Sequence, residues 1–221
     1  MNYQEILPNG TFDAVVLANG EQPQHAIPLQ LLKEAPFLVC CDGAIQQLAL
    51  KQFANKEDSK ADVIVGDGDS IPAWAREQYQ HCLHLESEQD DNDLTKATRF
   101  CISKGMKRIV YLGATGLRED HTLGNISLIV RYAREMGVEP VMVTNHGWFV
   151  PVMGTAVFDS FPRQQVSLFN FGCTSLRTEG LKYDGYPFSQ WWQGTLNEAT
   201  GSRFRIEADG YYLVFRTYEA K

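Results

Sequence analysis

Aspartates in this sequence stand where apolar runs end. Asp42 follows the run 37–41, and Asp67 and Asp69 follow the run 62–65 in Val65-Gly66-Asp67-Gly68-Asp69-Ser70. Asp93 closes the acidic stretch Gln89-Asp90-Asp91-Asn92-Asp93 ahead of a helical pattern, and Asp120 opens another helix in Leu117-Arg118-Glu119-Asp120-His121. Acids brought together without matching lysines repel one another, so some protonate or a cation settles among them. Oxygen ligands at this charge density suit Mg²⁺, which takes one or two carboxylates together with water and substrate phosphate. Gly43, Gly66, Gly68, Gly113 and Gly116 beside them allow backbone to approach phosphate closely. Singly, each Asp is an ordinary turn former or helix cap, and the acids of 86–93 are an ordinary solvated face. The pair flanking Gly68 serves no packing need, and only the joint pattern carries weight.

That pattern matters only if the fold collects it. Apolar runs stand at 12–17, 37–41, 62–65, 81–85, 108–112 and 140–143, and several are nearly continuous in Val, Ile and Leu, as suits strands buried on both faces of a parallel sheet. Between them lie helical patterns. Leu94, Ala97 and Cys101 share one face, and Leu123, Ile126, Val130 and Ala133 are expected to share another. The alternation predicts an α/β fold with a doubly wound, mostly parallel sheet, whose ligands bind at the carboxyl ends of the strands. All the aspartates above fall at those ends or at the N-termini of the helices that follow, so the fold brings them to one edge. After about residue 146 helical periodicity fades, and short runs at 166–169, 204–206 and 212–215 alternate with turn signals. This predicts a small C-terminal all-β domain of antiparallel strands, with domains at 1–147 and 148–221.

Composition excludes several classes. Of 221 residues 44% are hydrophobic and 21% charged, which rules out disordered, collagen-like and coiled-coil chains. A net charge of −7 gives no support to a nucleic-acid partner. No apolar run approaches the ~20 residues of a membrane span. Residues 1–10 lack a secretory pattern, and the five cysteines form no C-x-x-C pair, so a reduced, cytoplasmic setting is expected. There is no P-loop and no complete G-x-G-x-x-G. His81 and His84 are expected on opposite faces of a strand, which argues against a shared metal. Phe188, Trp191 and Trp192 are expected in the core or an interface of the β domain.

The order of motifs resembles the thiamine pyrophosphokinase family over nearly the whole chain. The resemblance is carried by Cys41-Asp42-Gly43-Ala44, Val65-Gly66-Asp67-Gly68-Asp69-Ser70-Ile71, Gln89-Asp90-Asp91-Asn92-Asp93-Leu94-Thr95-Lys96-Ala97 and Gly113-Ala114-Thr115-Gly116-Leu117-Arg118-Glu119-Asp120-His121-Thr122-Leu123-Gly124-Asn125. In the β domain it is carried by Thr178-Glu179-Gly180-Leu181-Lys182-Tyr183 and Gly194-Thr195-Leu196-Asn197-Glu198. The resemblance implies diphosphoryl transfer from ATP to the hydroxyethyl oxygen of thiamine, giving thiamine diphosphate and AMP. It also implies Mg²⁺, a nucleotide-binding α/β domain, a thiamine-binding β-sandwich, and a homodimer with active sites at the subunit interface. By match to family positions, Asp67, Asp69 and Asp93 would hold metal and phosphates. Asp42, Arg118, Asp120, His121 and Asn125 would line the nucleotide side, and Asn197 would approach thiamine. Ala44, Gly68, Leu117 and Leu196 depart from the family pattern, which commonly has Gly, an aromatic, Gly and a small hydroxyl residue there. Either Asp69 or Asp93 could accept the alcohol's proton. A pyrophosphokinase for another heteroaromatic alcohol, such as a hydroxymethylpterin, and a nucleotide-holding regulator without turnover are the alternative readings.

Overall fold

The structure, a computed structural model, describes residues 2–50 and 61–221. The chain forms two compact units, Met1–Asn145 and His146–Lys221.

The first unit contains strands β1 (Ala14–Leu17), β2 (Leu38–Cys41), β3 (Val63–Gly66), β4 (Leu83–Leu85), β5 (Arg108–Leu112) and β6 (Glu139–Val143). Its helices are α1 (Tyr3–Ile6), α2 (Ala26–Lys33), α3 (Ala44–Leu50), α4 (Ala73–Gln78), α5 (Asp93–Ser103) and α6 (Glu119–Glu135). The strands lie in the order β6-β5-β1-β2-β3-β4, and all the pairings are parallel. β1, β2 and β3 are buried at every residue, as continuous Val, Ile and Cys runs under helices should be. β4 is a short, partly exposed edge, and the expected strand 81–85 contracts to it because His81 lies in the preceding turn. Chain order reverses between β1 and β5. That switch point opens a crevice at the carboxyl ends of the two strands.

Leu94, Ala97 and Cys101 of α5 are buried together as their spacing requires. α6 keeps its expected face only in part. Val130 is buried with Asn125, Ile129 and Tyr132, Ile126 and Ala133 are half-buried, and Leu123 is 55% exposed. Tyr132 is anchored on the buried side, where its hydroxyl bonds Thr95 Oγ1 at 2.7 Å and its ring lies 5.8 Å from that of Tyr111.

The second unit is two antiparallel sheets. One runs β11-β9-β13-β7 and is built from β7 (Gly147–Met153), β9 (Gln164–Asn170), β11 (Asn197–Glu198) and β13 (Tyr211–Ala220). The other runs β10-β12-β8, from β8 (Ala156–Asp159), β10 (Leu176–Glu179) and β12 (Arg203–Ala208). Alternating residues of both sheets, among them Val166, Leu168, Phe204, Ile206, Tyr212 and Val214, close over one core in which the Phe158 and Phe204 rings stack at 4.8 Å. Phe188 joins this core, whereas Trp192 is 73% exposed and does not. Among the described residues no helix is long and apolar enough to cross a membrane. The cysteines are free thiols, and all but the half-buried Cys82 are buried.

Candidate active site

At the switch point of the first unit lies a cavity of about 430 Å³. Ala18, Asn19 and Gly20 after β1, Asp42 and Gly43 after β2, and the loop from Gly113 to Arg118 after β5 form its walls, with Ser70, Asn92, Asp93, His121 and Asn125. A broader hollow of about 600 Å³ lies at the opposite ends of β5 and β6, where Asp13 and Arg108 are already paired to each other. The first cavity is the one that gathers residues from the carboxyl ends of β1, β2 and β5, where a parallel sheet binds its ligands.

Its two principal loops are pressed together. Gly20 N–H donates to Gly113 O at 2.7 Å and Glu21 N–H to Thr115 O at 2.8 Å. A Cβ on Gly20 would stand 2.5 Å from both Gly113 O and Thr115 O, so only glycine permits this approach. The entry to α5 is pinned in the same way. Asn92 caps it, its Oδ1 accepting from Thr95 N–H at 3.0 Å, while its Nδ2 donates to Asn125 Oδ1 at 3.0 Å. Asn125 Nδ2 in turn donates to Ala114 O at 2.8 Å. Asn125 is buried, and its work is to tie α6, α5 and the β5 loop to one another.

Three carboxylates share a field here. Asp42 is buried, sits at φ +33°, and accepts from Ser70 N–H at 2.8 Å through Oδ2. Its Oδ1 is buried with no hydrogen-bond partner among the described residues. Burial raises the Asp42 pKa, with Asp67 adding to the effect. Burial and the charge of Asp42 push Asp93 up to about 6, against the pull of the Lys96 ammonium 4.0 Å away. Lys96 itself is buried. Asp67 is held below the ordinary carboxylate range by Asp69 N–H at 3.0 Å and Gln89 Nε2 at 3.1 Å. The acid cluster is thus Asp42, Asp67 and Asp93. The exposed Asp69 is tied to it through its backbone N–H, not its carboxylate. The orphaned Asp42 oxygen and the mutual repulsion fit a cation. No three His, Cys, Asp or Glu side chains among the described residues form a ready-made cage, but Mg²⁺ completes its shell with water and phosphate and needs none.

Three of the acids read as a solvated face, Glu86, Glu88 and Asp91, are paired with cations. Arg99 binds Glu86 at 2.5 Å and also Glu88 and Asp91, and Arg131 binds Asp91 at 3.0 Å. His84 pairs with Glu86 at 3.0 Å. These charges compensate one another on the face of α5 and leave Asp93 to the cavity.

Arg118 and His121 line the cavity, while Asp120 does not; it orients Arg118 through a bond of 2.6 Å and accepts from His121 N–H at 2.9 Å. In the second unit Asn197 is buried. Its Oδ1 accepts from Tyr183 N–H at 3.1 Å and Glu198 N–H at 2.8 Å, and its Nδ2 donates to Tyr183 O at 2.8 Å. The amide expected to meet a substrate is occupied in clamping the chain at Tyr183, whose own side chain is 59% exposed. Sequence reasoning missed Asn19, Asn92 and Lys96. The cap signal Asn-x-x-Thr before an apolar periodicity would have found Asn92; nothing in the sequence marks Asn19 or the buried Lys96.

Comparison with known proteins follows the same division. Residues 29–139 match the family model described as thiamin pyrophosphokinase, catalytic domain, and 147–215 that described as thiamin pyrophosphokinase, substrate-binding domain. Thiamine pyrophosphokinase 1 of Oryza sativa subsp. japonica is 32% identical over 139 residues, covering 54% of this chain and 52% of the relative. Thiamin pyrophosphokinase 1 of Caenorhabditis elegans is 29% identical over 136 residues, 58% of this chain and 54% of that one. The chain therefore spans about half the length of the curated relatives it matches. The structure of thiamin pyrophosphokinase from Candida albicans superposes with a TM-score of 0.76 at 18% identity, over 98% of this chain and 90% of that one, a likeness of fold.

Proposed function

Because the chain belongs to the thiamin pyrophosphokinase family, we propose that it transfers a diphosphoryl group from ATP to the hydroxyethyl oxygen of thiamine, releasing AMP. The observation that carries this reading is the acid-walled cavity at the switch point, whose acids Asp42 and Asp93 lie within the segment matched to the family's catalytic domain. Attack on a phosphoryl group is served by positioning and charge neutralisation more than by covalent chemistry. Mg²⁺, held by Asp42, Asp67 or Asp93, supplies that neutralisation when bound. Asp93, with its raised pKa, exchanges a proton near neutrality and is the group suited to accept the alcohol's proton. Asp69 N–H keeps Asp67 ionised, and Lys96 holds a positive charge under Asp93. Arg118 and His121 stand at the other side of the cavity, where they can meet nucleotide. The remaining parts of the reading are a cytoplasmic homodimer and a second unit that carries thiamine specificity.

The test is incubation of the protein with ATP, Mg²⁺ and thiamine, followed by chromatography. Thiamine diphosphate and AMP in equal amounts are expected. Thiamine monophosphate with ADP, AMP only with a pterin alcohol, or no turnover would each overturn the proposal.

A further inference from the structure

Leu117 and Leu196 both sit at positive φ, +64° and +63°, with 75% and 77% of their surfaces exposed. A leucine there carries backbone strain that glycine would not, and such strain persists where the surroundings over-determine it. Leu117 also lines the cavity. Its loop fixes it from both sides. Arg118 N–H donates to Gly116 O at 2.9 Å across it, and Gly116 N–H donates to Thr122 Oγ1 at 3.0 Å. Behind it Gly116 packs on Glu21, where a Cβ would approach the Glu21 side chain to 2.6 Å. An aliphatic side chain is therefore held at the cavity wall in a costly conformation, on the loop after β5, whereas Asp42 follows β2 and Asp93 opens α5. It can bind neither a cation nor a phosphate. What it can recognise is an apolar face, and in a nucleotide that face belongs to the base.

We propose that Leu117 is a specificity-determining residue whose side chain packs on the base of the bound nucleotide, so that the cavity reads the nucleoside at Leu117 and the phosphates at the acid cluster. The inference rests on the nucleotide reading above, and calorimetric titration separates the two. Mg·ATP and Mg·tripolyphosphate are titrated into the full chain and into Leu117→Gly and Leu117→Asn, two residues that accept the left-handed region. In both variants Kd for Mg·ATP should rise about tenfold, equivalent to about 1.4 kcal/mol, while Kd for Mg·tripolyphosphate stays unchanged. The melting temperature of Leu117→Gly should equal or exceed that of the parent. Unchanged Mg·ATP affinity in the variants overturns the role of Leu117 and leaves the nucleotide site standing. Equal weakening of both ligands also overturns it, since the residue would then act only through the loop. A parent chain that binds no Mg·ATP overturns the nucleotide reading itself.

Discussion

At the scale of single residues, the sharpest contrast is between Asp93 and Asn197. Asp93 is destabilising where it stands. Its raised pKa means that protonation favours the folded state. Its contribution to stability is complete below the ordinary carboxylate range and is lost as pH climbs through about 6. Asp93→Asn should therefore stabilise the ligand-free chain at neutral pH and flatten the pH dependence of its melting between about 4 and 6. The side chain is 37% exposed, and solvent screening holds the gain to on the order of 1 kcal/mol. The same change should cost kcat at least ~10²-fold, the scale of lost transition-state electrostatics. Melting curves across pH with turnover assays check both; a destabilised or fully active variant contradicts the assignment. Asn197 is the reverse case. Asn197→Ala leaves two backbone N–H groups and one carbonyl without their partner, at a cost of about 2–4 kcal/mol. Thermal melting should fall accordingly. A raised KM for thiamine with unchanged melting would return Asn197 to the substrate.

At the scale of elements, the cavity exists because two loops touch. The β1 and β5 loops meet through Gly20, and the first turns of α5 and α6 meet through Asn92 and Asn125. Gly20→Ala puts a methyl group onto two carbonyl oxygens, so the loops must part. We expect about 1–3 kcal/mol of destabilisation, the usual cost of overpacking, together with loss of Mg·ATP binding. Gly105→Ala is the fitting control. A Cβ there meets nothing, and although its φ of +78° makes alanine strained, that strain lies far from the cavity lining. Equal nucleotide affinity in Gly20→Ala and the control, measured by calorimetry, would remove the loop contact from the argument.

At the scale of the whole molecule, the acid cluster should make nucleotide and cation stabilise the chain only together. Bare triphosphate is repelled by Asp42, Asp67 and Asp93, and a cation bridges the two. At a hundredfold excess over Kd, Mg·ATP should add about 2.7 kcal/mol, whereas ATP in excess chelator should add almost nothing. A thermal-shift series with equal stabilisation in the two arms would contradict the cluster's role. The proposed homodimer is tested separately: sedimentation should give twice the chain mass, and sedimentation at the mass of one chain would contradict it.

The strand runs, their carboxyl-end aspartates and the change of texture near residue 146 are local properties. Hydrophobic periodicity and turn chemistry act over a few residues, so the sequence alone determined a parallel α/β unit followed by a β unit, and the face of α5. Which acids share a field was decided by three-dimensional distance. Asp42 lies 25 positions before Asp67 in the chain, yet parallel pairing of β2 with β3 brings their ends side by side. Asp69, two residues from Asp67, turns outward. Long-range partners also redistributed roles. Arg99 and Arg131 paired acids that by themselves read as a solvated face, and Tyr132 joined the buried side of α6 through its bond to Thr95. Asn125 divides its amide between the Asn92 side chain and Ala114 O, and Asn197 gives its amide to backbone, because a buried amide is stable only with its hydrogen bonds made, and those partners lie in other elements or across a turn.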